Sequence, residues 1–251
     1  MTNVSSTGPV WRVLTWNVRG NERPDIGSLA EVIAAYTPDV VTIQELRHGQ
    51  ARALATRLGW RHVWARKHFP YSPLVWWQAE GHAILTPHRL TATVSRTISP
   101  GVSTWSYRHR IVLAGNVLRP DDELRVYDTH LAAHDHPDER IAQARRVAAF
   151  VNVDGATRRV VAGDLNADGE IEVIRELRAA GLHDPGGPPT HPSTVPQRRF
   201  DYILIPQGAT VIDRHQPDGG DEWWELSDHL PVMLAWSDQA TRSIHADTPT
   251  S

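Results

Sequence analysis

Arg159-Val160-Val161-Ala162-Gly163-Asp164-Leu165-Asn166 is a short apolar run that stops on a carboxylate and, two residues later, a carboxamide. Its apolar part is too short for a helix and reads as a buried strand over Arg159–Ala162, closed by Gly163. The same ending recurs along the chain. Val13-Leu14-Thr15-Trp16 runs into Asn17, Val41-Thr42-Ile43-Gln44 into Glu45, and Val126-Tyr127-Asp128-Thr129 into His130. Polar side chains at the ends of several strands collect on one rim of a sheet.

Working outward, strands are expected over Val10–Trp16, Val40–Gln44, Leu124–Thr129, Phe200–Pro206 and Leu230–Trp236. Helices are expected where apolar residues recur at helical spacing. One runs from Asp25 to Tyr36, one from Pro137 to Val151 behind an N-terminal proline, and one from Glu170 to Ala180, stopping at Gly181. From Trp60 to Val117 the pattern is mainly short strands and turns. Mixed strands and helices with no linker between them predict a single layered domain over residues 10–237, with a flexible arm at 1–9 and a disordered tail at 238–251.

The 251 residues carry 26 Lys and Arg against 29 Asp and Glu, a net charge of −3, which excludes a basic coat for nucleic acid. There is no cysteine, so thiolate catalysis, disulfides and cysteine zinc sites are excluded. No leader-like start or membrane-length apolar run is present, and the expectation is a cytoplasmic monomer with no protein partner evident.

The rim residues have a shared chemistry. Carboxylates, carboxamides and imidazoles can hold a hard divalent ion through oxygen, position a water and donate to an anion, which is the equipment for phosphate ester hydrolysis. Singly, each is explained as well by a turn or a helix cap. Gly163-Asp164-Leu165-Asn166 and Ser227-Asp228-His229 each join two such groups within a few residues.

Seven blocks carry a resemblance: Leu14-Thr15-Trp16-Asn17, Gln44-Glu45, Gly81-His82-Ala83-Ile84-Leu85-Thr86, Thr129-His130-Leu131, Gly163-Asp164-Leu165-Asn166, Phe200-Asp201-Tyr202-Ile203-Leu204 and Ser227-Asp228-His229-Leu230-Pro231-Val232. In this order they resemble the endonuclease/exonuclease/phosphatase superfamily, in its short bacterial form. The resemblance implies an α+β fold, a four-layered α/β/β/α sandwich of two mixed β-sheets flanked by helices, with the site at one edge of the sheets. It implies Mg²⁺, with Mn²⁺ as a substitute, held by Glu45 with Asn17 and Asp228 nearby. Asp164 would orient the attacking water, Asn166 and His130 would bind phosphoryl oxygens, and Asp201 would hold His229 in its tautomer. Either Asp164 or His229 takes the water's proton. A phosphate-contacting residue before the His130 segment falls on Arg110, with Arg108 as competitor.

The implied activity is in-line hydrolysis of a phosphate ester, a phosphodiester or nucleic acid first, with a phosphomonoester or lipid head group as alternatives. A binding protein that has lost catalysis is the non-enzyme alternative, and it requires a missing catalytic group. The net charge argues against holding long DNA, although Arg57, Arg61, Arg66 and Lys67 could form a local basic patch. Arg140 and Gln143 read as supports for the loop after His130. His134-Asp135-His136 reads as a polar loop entering a helix and His82 as a structural histidine. Trp223-Trp224 are open to core packing or to stacking on substrate.

Overall fold

The computed structural model describes residues 8–69, 73–120 and 122–238. Most of the expected arm and tail, at 1–7 and 239–251, lies outside the described residues. In chain order the elements are β1 (Val10–Asn17), α1 (Ile26–Tyr36), β2 (Val40–Arg47), α2 (His48–Leu58), β3 (Arg61–Arg66), β4 (Glu80–Thr86), β5 (Arg89–Thr97), β6 (Ile111–Arg119), β7 (Asp122–His130), α3 (Pro137–Asp154), β8 (Arg159–Asp164), α4 (Ile171–Arg178), β9 (Leu182–His183), β10 (Asp201–Pro206), β11 (Thr210–His215), α5 (Asp221–Trp224) and β12 (Val232–Ser237). Each of the six expected strands and three expected helices is present. The last strand starts at Val232 rather than Leu230, because Pro231 has no N–H to give the ladder. Helix α2 was not expected. Its buried face is Ala51, Leu54 and Ala55, too thinly apolar to stand out from the polar residues around it.

The strands form two sheets of six, in the orders β11-β12-β1-β2-β4-β3 and β5-β6-β7-β8-β10-β9. Both are mixed, and each has a parallel pair at its centre. Strands β1 and β2 are crossed over by α1, and β7 and β8 by α3. The apolar residues alternate accordingly. Trp11 and Val13, Val40, Leu124 and Val126, Val160 and Ala162, and Ile203 and Ile205 meet in a core between the sheets. Leu14, Val41 and Ile43 point the other way, onto Leu29 and Ile33 of α1 and Leu54 of α2. On the far side Tyr127, Val161, Tyr202 and Leu204 pack on Val147 and Val151 of α3 and Leu177 of α4. Three apolar seams thus join four layers, helix, sheet, sheet and helix, as expected for the sandwich. At roughly 1.5–3 kcal/mol for each large side chain removed from water, these seams are the main source of stability.

Candidate active site

Period-two alternation decides which strand-end residues meet. Asn17 shares the face of Trp11 and Val13, His130 that of Leu124 and Val126, Asp164 that of Val160 and Ala162, and Asp201 that of Ile203 and Ile205. All four therefore enter the cleft between the sheets, at the end where the apolar filling stops. Register brings them level, with His130 beside Asp164 across the parallel β7–β8 pair and Asp201 beside Asp164 across β8–β10. The two sheets are tied here by Asn17, whose Nδ2 donates to Asp164 Oδ2 at 3.0 Å.

Glu45 reaches the cleft by another route. Simple alternation would turn it toward the helices with Val41 and Ile43. Instead a bulge shifts the β2–β4 register between Ile43 and Leu46, and Glu45 itself takes a left-handed backbone with φ 63°. Its carboxylate then lies 3.7 Å from His130 Nδ1 and 3.7 Å from Lys67 Nζ. Such a conformation in a residue other than glycine is uncommon and costs energy, here at the expected metal ligand. Gly20 is packed on the bulge so closely that a Cβ would stand 2.4 Å from the Glu45 carbonyl oxygen, so only glycine fits there.

Asp164 is the centre of the polar cluster. It is buried, and burial raises its pKa to about 7, against the pull of His229 and with the push of Asp201. His229 is also buried. Burial opposes its charge, but Asp201, Asp164 and Asp228 outweigh that and raise its pKa. Its Nδ1 is 2.8 Å from Asp201 Oδ2, the pairing expected from the sequence, and its Nε2 is 3.9 Å from Asp164 Oδ2. The imidazolium is therefore held by a carboxylate behind it, with its other nitrogen aimed at the cleft.

His130 has the opposite setting. Burial, then the positive charges of Arg110 and Lys67, push its pKa well down, so the ring is neutral. Asn166 Nδ2 is 3.3 Å from the Leu131 carbonyl oxygen, which fixes the amide's orientation, and 3.1 Å from His130 Nε2. Its Nε2 also lies 3.4 Å from Asp164 Oδ2, and its Nδ1 faces Glu45. Asn166 has φ 50°, and its backbone N–H donates to Asp164 Oδ1 at 2.9 Å, so the Gly-Asp-Leu-Asn turn closes on its own carboxylate.

Arg110 is buried at the rim, where its Nε donates to the Leu131 carbonyl at 3.0 Å and its charge faces Glu45 and Asp164; burial lowers its pKa. Arg108 instead pairs with Glu139. Fully buried Arg140 donates to the carbonyls of Ala132, Ala133 and His134 and to Glu170, and Gln143 accepts from Ala132 N–H at 2.7 Å. Both hold the loop after His130, as expected.

Asp228 lies at the cleft mouth, 3.4 Å from Arg19 Nε and 3.5 Å from His191 Nε2. Its Oδ1 is buried with no hydrogen-bond partner among the described residues. Two trios there bring ligand atoms within 4.8 Å of one another, His191 with Asp228 and His229, and Asp164 with Asp201 and His229. The second is the carboxylate–imidazole cluster, whose members already satisfy one another. Glu45 belongs to neither trio, and His134-Asp135-His136 forms none. Trp223 packs edge-on against Trp16 at 6.1 Å and joins the core, whereas Trp224 is exposed beneath the Arg19 guanidinium, 5.4 Å from the ring centroid.

A model of the Endonuclease/Exonuclease/phosphatase family matches residues 14–229, most of the chain. The chain belongs to this family. Members of the endonuclease/exonuclease/phosphatase family are phosphoester hydrolases, and the chain is an enzyme of that class. Among solved structures, an endonuclease/exonuclease/phosphatase from Bacteroides vulgatus has a TM-score of 0.74 and 15% identity, covering 92% of this chain and 100% of that one. The human Nocturnin catalytic domain with bound sulfate has a TM-score of 0.72 and 22% identity, covering 92% and 94%. A mannosyl-6-phosphatase from Bacteroides thetaiotaomicron has a TM-score of 0.69 and 16% identity, covering 90% and 99%. At these identities the likeness is one of fold. No curated protein matches the chain.

Within this family frame, three residues at the site escaped the sequence reading. Lys67 is not part of a surface patch; it is buried between Glu45 and Glu80, 3.3 Å from the latter. The signal was that it is the single lysine in the chain. Glu80 has a raised pKa from burial, offset in part by Lys67. His191 stacks obliquely on His229 with ring centroids 4.9 Å apart, and nothing local in its sequence shows this. His82 is fully buried beside the site, its Nδ1 3.4 Å from Asp128 Oδ1 and its ring 6.5 Å from that of His130.

Proposed function

We propose that the protein is a Mg²⁺-dependent phosphodiesterase acting by in-line attack of water on phosphorus. The observation that carries this reading is the opposed tuning around Asp164. A carboxylate raised toward neutrality stands 3.9 Å from an imidazole that is held as a cation. Two groups driven apart in this way divide the labour of proton acceptor and charge stabiliser.

Asp164 takes the proton of the attacking water, which Asn17 Nδ2 and the Asn166 backbone keep aligned by fixing the carboxylate's two oxygens. His229, with Asp201 behind it, presents Nε2–H to the phosphoryl oxygens as their negative charge grows. Asn166 Nδ2, here shared between Leu131 O and His130 Nε2, turns to a phosphoryl oxygen when substrate arrives. Arg110 adds a positive charge at the rim.

A divalent ion suits the donors present. Glu45, Asn17 and Asp228 offer hard oxygen; Asp228 Oδ1 is buried without a hydrogen bond and is faced by the Arg19 guanidinium at 3.4 Å, which an arriving cation would displace. These three residues would hold Mg²⁺, with Mn²⁺ as a substitute, and the ion would supply charge neutralisation at the phosphate. Hydrolysis of bis-p-nitrophenyl phosphate with Mg²⁺ and with EDTA tests the reading. Turnover that needs the metal is expected; no turnover of any phosphodiester at any pH would refute it.

A further inference from the structure

Glu45 faces the cleft only because of the bulge in β2. Ile43 pairs with Ala83 and Leu46 with Gly81, so Gln44 and Glu45 together oppose a single residue of β4, His82. A bulge interrupts the ladder and leaves a residue unpaired, and this one also sets Glu45 at φ 63°. Backbone of that kind persists only where its surroundings fix it.

A carboxylate from the opposite sheet meets this bulge. Asp128 shares the cleft face of β7 with Val126 and His130, and it is fully buried, as are Gln44 and His82. Its Oδ1 accepts from Gln44 Nε2 at 2.7 Å and lies 3.4 Å from His82 Nδ1, and the Ala83 N–H also favours its charged form. Gln44 is the first residue of the bulge, His82 the residue opposite it, and Ala83 the partner of Ile43 at its edge. All three contacts therefore fall on one irregularity of the neighbouring sheet. Gln44 Nε2 also reaches Thr15 Oγ1 at 3.2 Å, which ties the same amide to β1. A carboxylate in an apolar seam is costly to bury, and an aliphatic side chain would fill the position without that cost, so packing alone does not account for Asp128.

We infer that Asp128 is a positioning residue for the metal site: through Gln44 and His82 it locks the β2 bulge and so keeps the Glu45 carboxylate turned into the cleft. It acts through those two residues rather than on the ion or the phosphate. The inference rests on Glu45 as the main Mg²⁺ ligand and names what aims it. Removing a group that orients a metal ligand typically weakens metal binding roughly 10–100-fold, and because Asp128 works at one remove, through the backbone, the lower end of about tenfold is expected.

The test measures Mn²⁺ binding to the full chain by calorimetry, without substrate, and amide hydrogen exchange over residues 43–47, with urea unfolding alongside. Asp128→Ala should weaken Mn²⁺ binding about tenfold and speed exchange across the bulge. Asp128→Asn keeps an oxygen for Gln44 and can turn its amide nitrogen to His82, so it should recover most of both. Gln44→Met cuts the same bond from the β2 side and should act as Asp128→Ala does, which keeps the test decisive if the alanine variant folds poorly. Val126→Ala empties the same face of β7 two residues earlier; it should lower the urea midpoint yet leave Mn²⁺ binding and bulge exchange at wild type. Wild-type Mn²⁺ affinity in Asp128→Ala, an asparagine variant no better than alanine, or equal losses in Val126→Ala would overturn the lock. A wild-type chain that takes up no Mn²⁺ would sink the metal reading instead. Exchange alone would then decide, the lock standing if Asp128→Ala speeds it and falling if it does not.

Discussion

Asp201→Asn isolates the electrostatic part of the mechanism. Asparagine keeps the shape and an oxygen for His229 Nδ1 at 2.8 Å, but removes the buried charge behind the ring. Two unit charges about 4 Å apart at an effective dielectric of about 20 interact by about 4 kcal/mol, the equivalent of roughly three pKa units. Asp164 and Asp228 still favour the cation, so a fall of about two to three units is expected from the wild-type value of about 10. The imidazolium of the variant would then deprotonate between about pH 7 and 8. Rates for bis-p-nitrophenyl phosphate at saturating Mg²⁺, measured from pH 6 to 10, should stay within a few-fold of wild type at the acid end. At pH 9 they should drop by about thirtyfold, with the alkaline limb moved down by the same two to three units. A limb that keeps its wild-type position, whatever the absolute rate, would show that protonated His229 is not the charge stabiliser.

Asp164→Asn should lower kcat by about 10²–10⁴ and abolish the acid limb, which in wild type rises through about pH 7 as the carboxylate ionises; a retained limb would move the proton acceptor elsewhere. Glu45→Gln should raise the Mg²⁺ concentration for half-maximal rate more than it lowers the rate at saturation, and unchanged metal dependence would reassign the main ligand. Arg140→Ala strands the Ala132, Ala133 and His134 carbonyls and Glu170, so a stability loss of roughly 2–4 kcal/mol by urea unfolding is expected, with activity falling through His130. Asp184 is half-buried, and the two-pronged contact from Arg199, both oxygens at 2.7 Å, outweighs that partial burial and lowers its pKa. A carboxylate depressed in the folded state adds stability above its unfolded pKa of about 3.9 and loses it as pH falls through the folded value. Asp184→Asn should therefore cost stability at pH 7 and almost none at pH 2, and an equal cost at both would refute the ionic role.

Strands β1, β2, β7, β8 and β10 were legible because each couples an alternating apolar run to a polar end, and the same parity predicts the face that Asn17, His130, Asp164 and Asp201 occupy. Helix α2 was not, since Arg47 passes into His48 with no turn residue between strand and helix and alanines fill its inner face. Strand β11 lies at a sheet edge and is mostly exposed, so Thr210–His215 carries no burial pattern to read. At the site, the paired motifs were visible because their groups are neighbours in sequence. His191 meets Asp228 across 37 positions, and Lys67 meets Glu45 only because the β2 bulge turns that carboxylate round. Both depend on long-range geometry that no local pattern encodes.

The Asn17–Asp164 bond is the polar tie between the sheets that lies at the site itself, while Gln44 to Asp128 and Trp11 to Asp122, each at 2.7 Å, join them elsewhere along the apolar seam. Alignment of the attacking water is thereby hostage to how the sheets slide past one another. A substitution such as Trp236→Phe, buried between the sheets and well away from any phosphate, would let that seam shear by a fraction of an ångström, and turnover would register the slip before unfolding did.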